Sequence, residues 1–253
     1  MEDIWIYIIS IIGGFIAGII NTLAGNGSVI TLGILTEVVG LPASIANGTN
    51  RIGVLIQTFT SYVGLKSNVE VTLKDNRFNL SLIFVGAILG AIAAVTISNE
   101  QFSFVYKFMM VVMLFTILVK PSRWLNPENH IQKKLPKYFM AIIYLLLGFY
   151  GGFIQMGMGL LFLGVMVLLD GKQIMETNLL KIFIIMIFSI FVLAIFVSRG
   201  MVEWWPGLTI AIGQGLGGWI TGRYVARSPE INKIAYYTLL VMIVLVIVKM
   251  FLF

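Results

Sequence analysis

Apolar runs separated by short polar or glycine-bearing stretches divide the chain into segments at about 4–24, 28–40, 43–66, 77–98, 101–119, 138–156, 159–169, 173–198, 204–222 and 231–252. Several reach the roughly 20 residues needed to cross a hydrocarbon core about 30 Å thick. Continuous apolar runs fit helices, whereas membrane strands would alternate over about 10 residues. Two segments, 28–40 and 159–169, would span only about 15–20 Å at 1.5 Å per residue. Each follows a glycine break, GNG at 25–27 and GMG at 157–159. They are expected to be half-helices.

Composition strengthens this reading. Of 253 residues, 59% are hydrophobic and 11% charged, against about 25% charged in a soluble domain. The net charge of +6 would suggest a nucleic-acid partner in a soluble protein. Here the cations gather at 120–137 and 223–233, which is the positive-inside bias of a membrane protein, with the lipid bilayer as partner and no nucleic acid. Cysteine is absent, which removes disulfides and thiolate nucleophiles or metal ligands together. Glu2 and Asp3 stand where a signal peptide would be basic.

Charge also orders the segments. With the basic stretch 120–137 inside, the connection near Glu100 is outside and the one carrying Lys66, Lys74 and Arg77 is inside. The acidic N-terminus and the loop at Glu37 then lie outside, so 4–40 enters and returns as a hairpin. In the second half, Arg223, Arg227 and Lys233 fit the inside, Arg199 to Glu203 the outside, and Asp170 to Lys172 the inside, so 138–169 also enters and returns. The expected fold is an all-α polytopic membrane protein of two inverted repeats. Each is a broken-helix hairpin plus three transmembrane helices, giving about eight full spans and two half-helices. The units are 1–119, a basic cytoplasmic linker 120–137, and 138–253, with both termini outside the plasma membrane. Recurring motifs support the repeat: GFIAG at 14–18 and GFYGG at 148–152, the two G-x-G breaks, Arg51 opposite Lys181, and Gly86 and Gly90 opposite Gly213 and Gly217.

Arg51 stands inside an apolar segment, in IANGTNRIG at 45–53. By the inferred topology it lies about 12 Å from the outer face, and Lys181 about 12 Å from the inner one. Such a charge costs at least about 2.5–3.5 kcal/mol on a lipid-facing helix, so each should face a cavity or a partner. Segment 43–66 offers no carboxylate at that depth, and Glu176, five residues from Lys181, is on another helical face. A mobile anion would supply the missing charge. Asn47, Asn50, Arg51, Gln57, Thr58 and Ser61 share one broad stripe interrupted by Val54, Thr49 is a further candidate just ahead of Arg51, and Thr177 and Lys181 share a face. The half-helix N-termini at Gly27 and Gly159 would add positive potential, with Asn26 or Ser28 capping the first and no side chain capping the second. Asn21, Gln155 and Asn178 are further candidates. The alternative role for both cations is to bind carbonyls freed at the helix breaks. The glycine pairs 14/18, 86/90 and 213/217 have the spacing of close helix packing. Trp5, Trp124, Trp204 and Trp205 read as an aromatic belt, His130 as solvated in a loop, and Glu176 and Glu203 as snorkelling acids, the alternative for the two acids being to carry a coupling proton.

The order GFIAG, G-x-G, GTN followed by a basic residue, and GFYGG resembles the sulfite exporter TauE/SafE family of membrane permeases, along nearly the whole chain. Arg51 stands where that family more often has Lys, and the break reads GNGS instead of a glycine run. The resemblance implies a secondary transporter for small sulfur-containing anions such as sulfite, sulfoacetate or other organosulfonates. An anion channel would use the same cations. An intramembrane enzyme is disfavoured, because no metal-ligand cluster or nucleophile–base pair is apparent among the buried positions. No cofactor is implied. A P-loop is also missing, which leaves an ion gradient or a partner as the energy source, with a proton or sodium ion as the candidate coupling ion.

Overall fold

The computed structural model describes residues 2–66, 73–118, 136–170 and 174–225, with the isolated positions 241, 244 and 248. Trp124, His130, most of the basic stretch 120–137 and almost all of the segment 231–252 lie outside the described residues. Every regular element described is helical: α1 (Glu2–Leu23), α2 (Gly27–Glu37), α3 (Ala43–Lys66), α4 (Leu73–Thr96), α5 (Asn99–Leu118), α6 (Lys137–Phe153), α7 (Met158–Gly164), α8 (Ile174–Ser198) and α9 (Trp204–Ile220). One π-helical turn extends α7 over Val165–Leu169, and another extends α9 over Thr221–Val225.

The two short segments expected at 28–40 and 159–169 coincide with α2 and with α7 plus its π-helical turn. Gly25 (φ 79°) lets the chain turn between α1 and α2, and Gly157 (φ 69°) does so before α7. Both need the left-handed conformation that glycine adopts without strain. The second break also holds Gln155 at φ 61°, a conformation costing a non-glycine residue on the order of 1–3 kcal/mol unless its surroundings fix it. Helix α2 is buried from Gly27 through Leu35, as its apolar sequence on all sides requires.

Burial is inverted relative to a water-soluble protein. Trp205 is 77% exposed and Phe104 75%, whereas Arg51 and Lys181 are 0% and 1% exposed. An apolar exterior around buried cations suits a lipid environment. Among the described residues, Ile4–Leu23, Asn76–Thr96 and Glu176–Ser198 are long and apolar enough to cross a membrane. The 24-residue α3 is long enough, but its buried polar row lowers its apolar character. The chain is thus a multi-pass helical membrane protein.

Two helix crossings hold this arrangement with little side-chain volume between the backbones. Helix α1 lies on α9, where a methyl added at Gly18 would stand 2.4 Å from the Gln214 carbonyl oxygen and one at Gly213 would stand 2.0 Å from that of Ile11. Helix α4 lies on α6 in the same manner: a methyl at Gly90 would be 2.0 Å from the Phe149 oxygen, and one at Gly152 would be 1.8 Å from the Ala87 oxygen. Such spacing brings backbones close enough for dispersion and Cα–H···O contacts, the main attractions left where water drives nothing together. Gly152→Ala must therefore separate α4 from α6 and should cost about 1–3 kcal/mol. At Gly215 the nearest neighbour to an added methyl is the Ile56 Cγ2 atom at 3.0 Å, so Gly215→Ala should cost much less. Melting of the two purified variants in the same detergent checks the difference.

Candidate functional site

The two glycine breaks touch. A methyl at Gly25 would be 2.3 Å from Gly159 Cα, and one at Gly159 would be 2.4 Å from Gly25 Cα. Only two residues without side chains can meet this closely. Around the contact stand the ends of α1 and α6, the starts of α2 and α7, and the polar faces of α3 and α8.

Arg51, on α3, reaches across to the C-terminal end of α6. Its Nη1 donates to the Gly151 carbonyl at 2.8 Å and to Gln155 Oε1 at 2.5 Å, and its Nη2 donates to the Gly152 carbonyl at 2.8 Å and Asn47 Oδ1 at 3.3 Å. Asn47 in turn donates from Nδ2 to the Phe153 carbonyl at 2.8 Å. The last carbonyls of an α-helix have no partner within the helix and carry the negative end of its dipole. Here a guanidinium and an amide take three in succession, and the bond to Gln155 helps hold the left-handed residue. The Phe196 ring lies 5.6 Å from the guanidinium carbon, a cation–π contact. Arg51 Nε alone among its donors has no partner.

Lys181, on α8, stands in the corresponding relation to α1. Its Nζ donates to the carbonyls of Asn21 at 3.4 Å and Thr22 at 3.3 Å, and its Cδ would be 3.1 Å from a methyl at Gly159. Beside those carbonyls the side chains form a closed polar cluster. Asn21 Nδ2 donates to Gln57 Oε1 at 2.9 Å, Gln57 Nε2 donates to Thr22 Oγ1 at 3.0 Å and Ser61 Oγ at 2.9 Å, and the two hydroxyls are 2.8 Å apart. Both cations thus make the carbonyl contacts that were the alternative to direct anion binding.

The remaining candidates divide. Asn50 Oδ1 accepts from Thr31 Oγ1 at 2.6 Å while its Nδ2 is unpartnered, and Thr49 Oγ1 accepts the Glu203 N–H at 2.9 Å. Thr177 Oγ1 and Asn178 Oδ1 are buried without a partner. Gly27 is packed on α1, 2.0 Å from the Ala17 carbonyl oxygen by the same methyl test. Neither expected cap of α2 forms: Asn26 sits at the N-cap with no side-chain bond to the helix. Both its amide atoms are unpartnered, and its Oδ1 would be 2.7 Å from a methyl at Gly157. At α7 the backbone uses its own donors, with the Leu160 and Leu161 N–H groups going to the Gly157 carbonyl.

Gln214 escaped the sequence reading. It is fully buried on α9, both amide atoms lack a partner, and its Oε1 lies 1.8 Å from where a methyl on Gly53 would be. Its carboxamide is seated against α3 at Gly53, which in sequence lies between the polar positions Asn50 and Gln57. The signal was present as a lone amide in the small, apolar run IAIGQGLGG. Only the packing of α9 on Gly53 gives it a place.

A lipid-compatible helical exterior, two interrupted helices meeting at their breaks and a buried cationic interior define a membrane transporter type of protein. Residues 10–250 match the sulfite exporter TauE/SafE family model, and the chain belongs to that family. A Sinorhizobium protein described as probable membrane transporter protein ORF9 is 25% identical over 236 residues, covering 92% of this chain and 89% of its own length. A probable membrane transporter of Haemophilus influenzae is 26% identical over 217 residues, with 86% and 84% covered, and the YfcA protein of Escherichia coli K12, also described as a probable membrane transporter, is 23% identical over 215 residues, with 85% and 79% covered. No solved structure matches the chain.

Arg51→Met keeps length and apolar volume but strands the Gly151 and Gly152 carbonyls and Gln155 Oε1. Each stranded buried group costs about 1–3 kcal/mol. The variant should therefore melt well below the parent in detergent, and a melting point equal to the parent's would show that these bonds do not hold the break.

Proposed function

We propose that the protein is a secondary transporter that moves small sulfur-containing anions, such as sulfite, sulfoacetate or other organosulfonates, by alternating access. Two inverted halves, 1–119 and 138–253, would work around a site near the membrane midplane, joined by the basic linker 120–137. The observation that carries this reading is the exchange of clasps: a cation of the first half holds the broken helix of the second, and a cation of the second half holds the broken helix of the first. Matching glycine crossings of α1 on α9 and α4 on α6 favour the same symmetry. Relative movement of the halves must then shift both breaks together, and this is where an anion would bind.

In this reading Arg51 contributes positive charge and its single open Nε–H, while its terminal nitrogens brace α6 through Gly151, Gly152 and Gln155. Lys181 offers the anion a more open donor. Thr177, Asn178, Asn21 and Gln57 would serve the Lys181 side and Asn47 and Asn50 the Arg51 side, while Thr49, bonded to the Glu203 N–H, would tie α3 to the start of α9. The N-terminal turn of α2 at Gly27 adds its dipole, and Gly159 leaves space for the lysine chain. The polar groups supply hydrogen bonds to anionic oxygens, and the cations offset the cost of removing the anion from water. The family and its relatives favour transport over catalysis.

Reconstituted protein should show saturable counterflow of labelled sulfite or sulfoacetate; flux that stays linear with concentration would indicate a channel. Lys181→Ala should weaken anion binding about ten- to hundred-fold, the equivalent of losing one charge-assisted hydrogen bond. Arg199→Ala, at an exposed turn, should leave it unchanged. For the topology, single cysteines introduced near residue 2 and near residue 128 should label from opposite sides, the first from outside and the second from inside. Labelling of both from one side would end the inverted-repeat reading.

A further inference from the structure

The two clasps differ in a way that matters for coupling. A guanidinium keeps its charge under all conditions, and Arg51 spends its four terminal donors in a fixed fork. A lysine can lie buried as either an ammonium or an amine. Lys181 is 1% exposed, and its two contacts, at 3.3 and 3.4 Å to backbone carbonyls, exceed the roughly 2.7–2.9 Å of a charge-assisted bond. Those contacts leave one of the three donors of an ammonium free. One turn away on the same face, Thr177 Oγ1 is fully buried and unpartnered, so a polar seat lies next to the nitrogen.

Among the described residues, nothing packed against α8 supplies a countercharge at this depth. Glu176 stands in the first turn of α8 and has its own contact. From α6, Tyr144 is bonded to Asp170, which follows the π-helical extension of α7, and Tyr150 is bonded to the Met156 carbonyl. The acids of α1 and α4 are at their starts, at Glu2, Asp3 and Asp75, and α3 carries none. On α3, Tyr62 packs against Phe183 with the rings tilted by 45°, and Arg51 faces α6. An isolated buried ammonium is unfavourable, whereas an ammonium beside an anion is not.

We propose that Lys181 is the coupling residue, taking up one proton from water when the anion enters its seat and returning it to water when the anion leaves, so that a monovalent anion crosses with one proton as a neutral pair. In each cycle an Nζ–H bond forms on the loading side and breaks on the unloading side, with no other reactant needed. This inference rests on the transport reading given above, and it names the proton as the coupling ion.

Methanesulfonate is the suitable probe, because it stays ionised and brings no proton of its own. Titration calorimetry of the purified protein in two buffers of different ionisation heat gives the protons exchanged per anion bound. The parent should take up about one proton per methanesulfonate, and its affinity should fall about tenfold per pH unit on the alkaline side. Lys181→Arg should bind the anion with no proton uptake and a flat pH profile, and Lys181→Met should bind it about ten- to hundred-fold more weakly than the parent and also without proton uptake. Binding by the parent without proton uptake, or the same uptake in Lys181→Arg, overturns the coupling role and leaves anion transport standing. If Lys181→Arg does not fold, the parent's uptake and pH slope decide the matter alone. A folded parent that neither binds methanesulfonate nor exchanges sulfite in counterflow overturns the transport reading itself.

Discussion

A helix that stops in an apolar interior exposes carbonyl oxygens that water cannot reach, and each must find a donor from elsewhere in the protein. Helices α1 and α6 both stop this way, and the rest of the arrangement follows from how their ends are satisfied. The guanidinium of Arg51 and the amide of Asn47 take the Gly151, Gly152 and Phe153 carbonyls, and the ammonium or amine of Lys181 takes those of Asn21 and Thr22. Because each donor sits on a helix remote in sequence from the end it serves, the breaks cannot move independently of α3 and α8. The buried cations are in turn stabilised by the dipole ends they cover.

Close packing is what lets these groups meet. Gly25 and Gly159 bring the two breaks into backbone contact, and the glycines of α1, α4, α6 and α9 do the same for the crossings on either side. With no hydrophobic force between helices in lipid, such contacts and internal hydrogen bonds must supply the cohesion. The interior can then be polar while the exterior is apolar. Several buried amides and hydroxyls, among them Asn26, Thr177 and Gln214, have unpartnered atoms, and they cluster near the breaks and along the polar row of α3. Under the proposed function, water or the anion would complete their bonds.

The two clasps are related in position but not in chemistry. The arginine fork suits a permanent brace, since its planar donors match several fixed oxygens at once. The lysine makes fewer and longer contacts, which fits a group that exchanges partners. Repeat-built transporters need one part that holds its geometry and another that responds to ligand, and the difference between Arg51 and Lys181 would provide both.

Much of the fold was legible in the chain itself. Uninterrupted apolar runs can be stable only as helices in lipid, so the membrane class and the segment boundaries follow from hydropathy, and G-x-G interruptions mark where a helix cannot continue. The depth of Arg51 and Lys181 in those segments was equally plain, and it singled them out as needing partners. Which partners they found was a tertiary matter, because the bonds join residues 100 and 160 positions apart; helix periodicity orders only neighbours within a few turns. Gln214 shows the same limit. Its amide stands out in a glycine-rich run, yet its position on Gly53, and so its place in the polar row, depends on how α9 packs across α3. Local sequence determined where each helix could run and where it had to break, whereas the packing of distant helices decided which buried charge met which broken end.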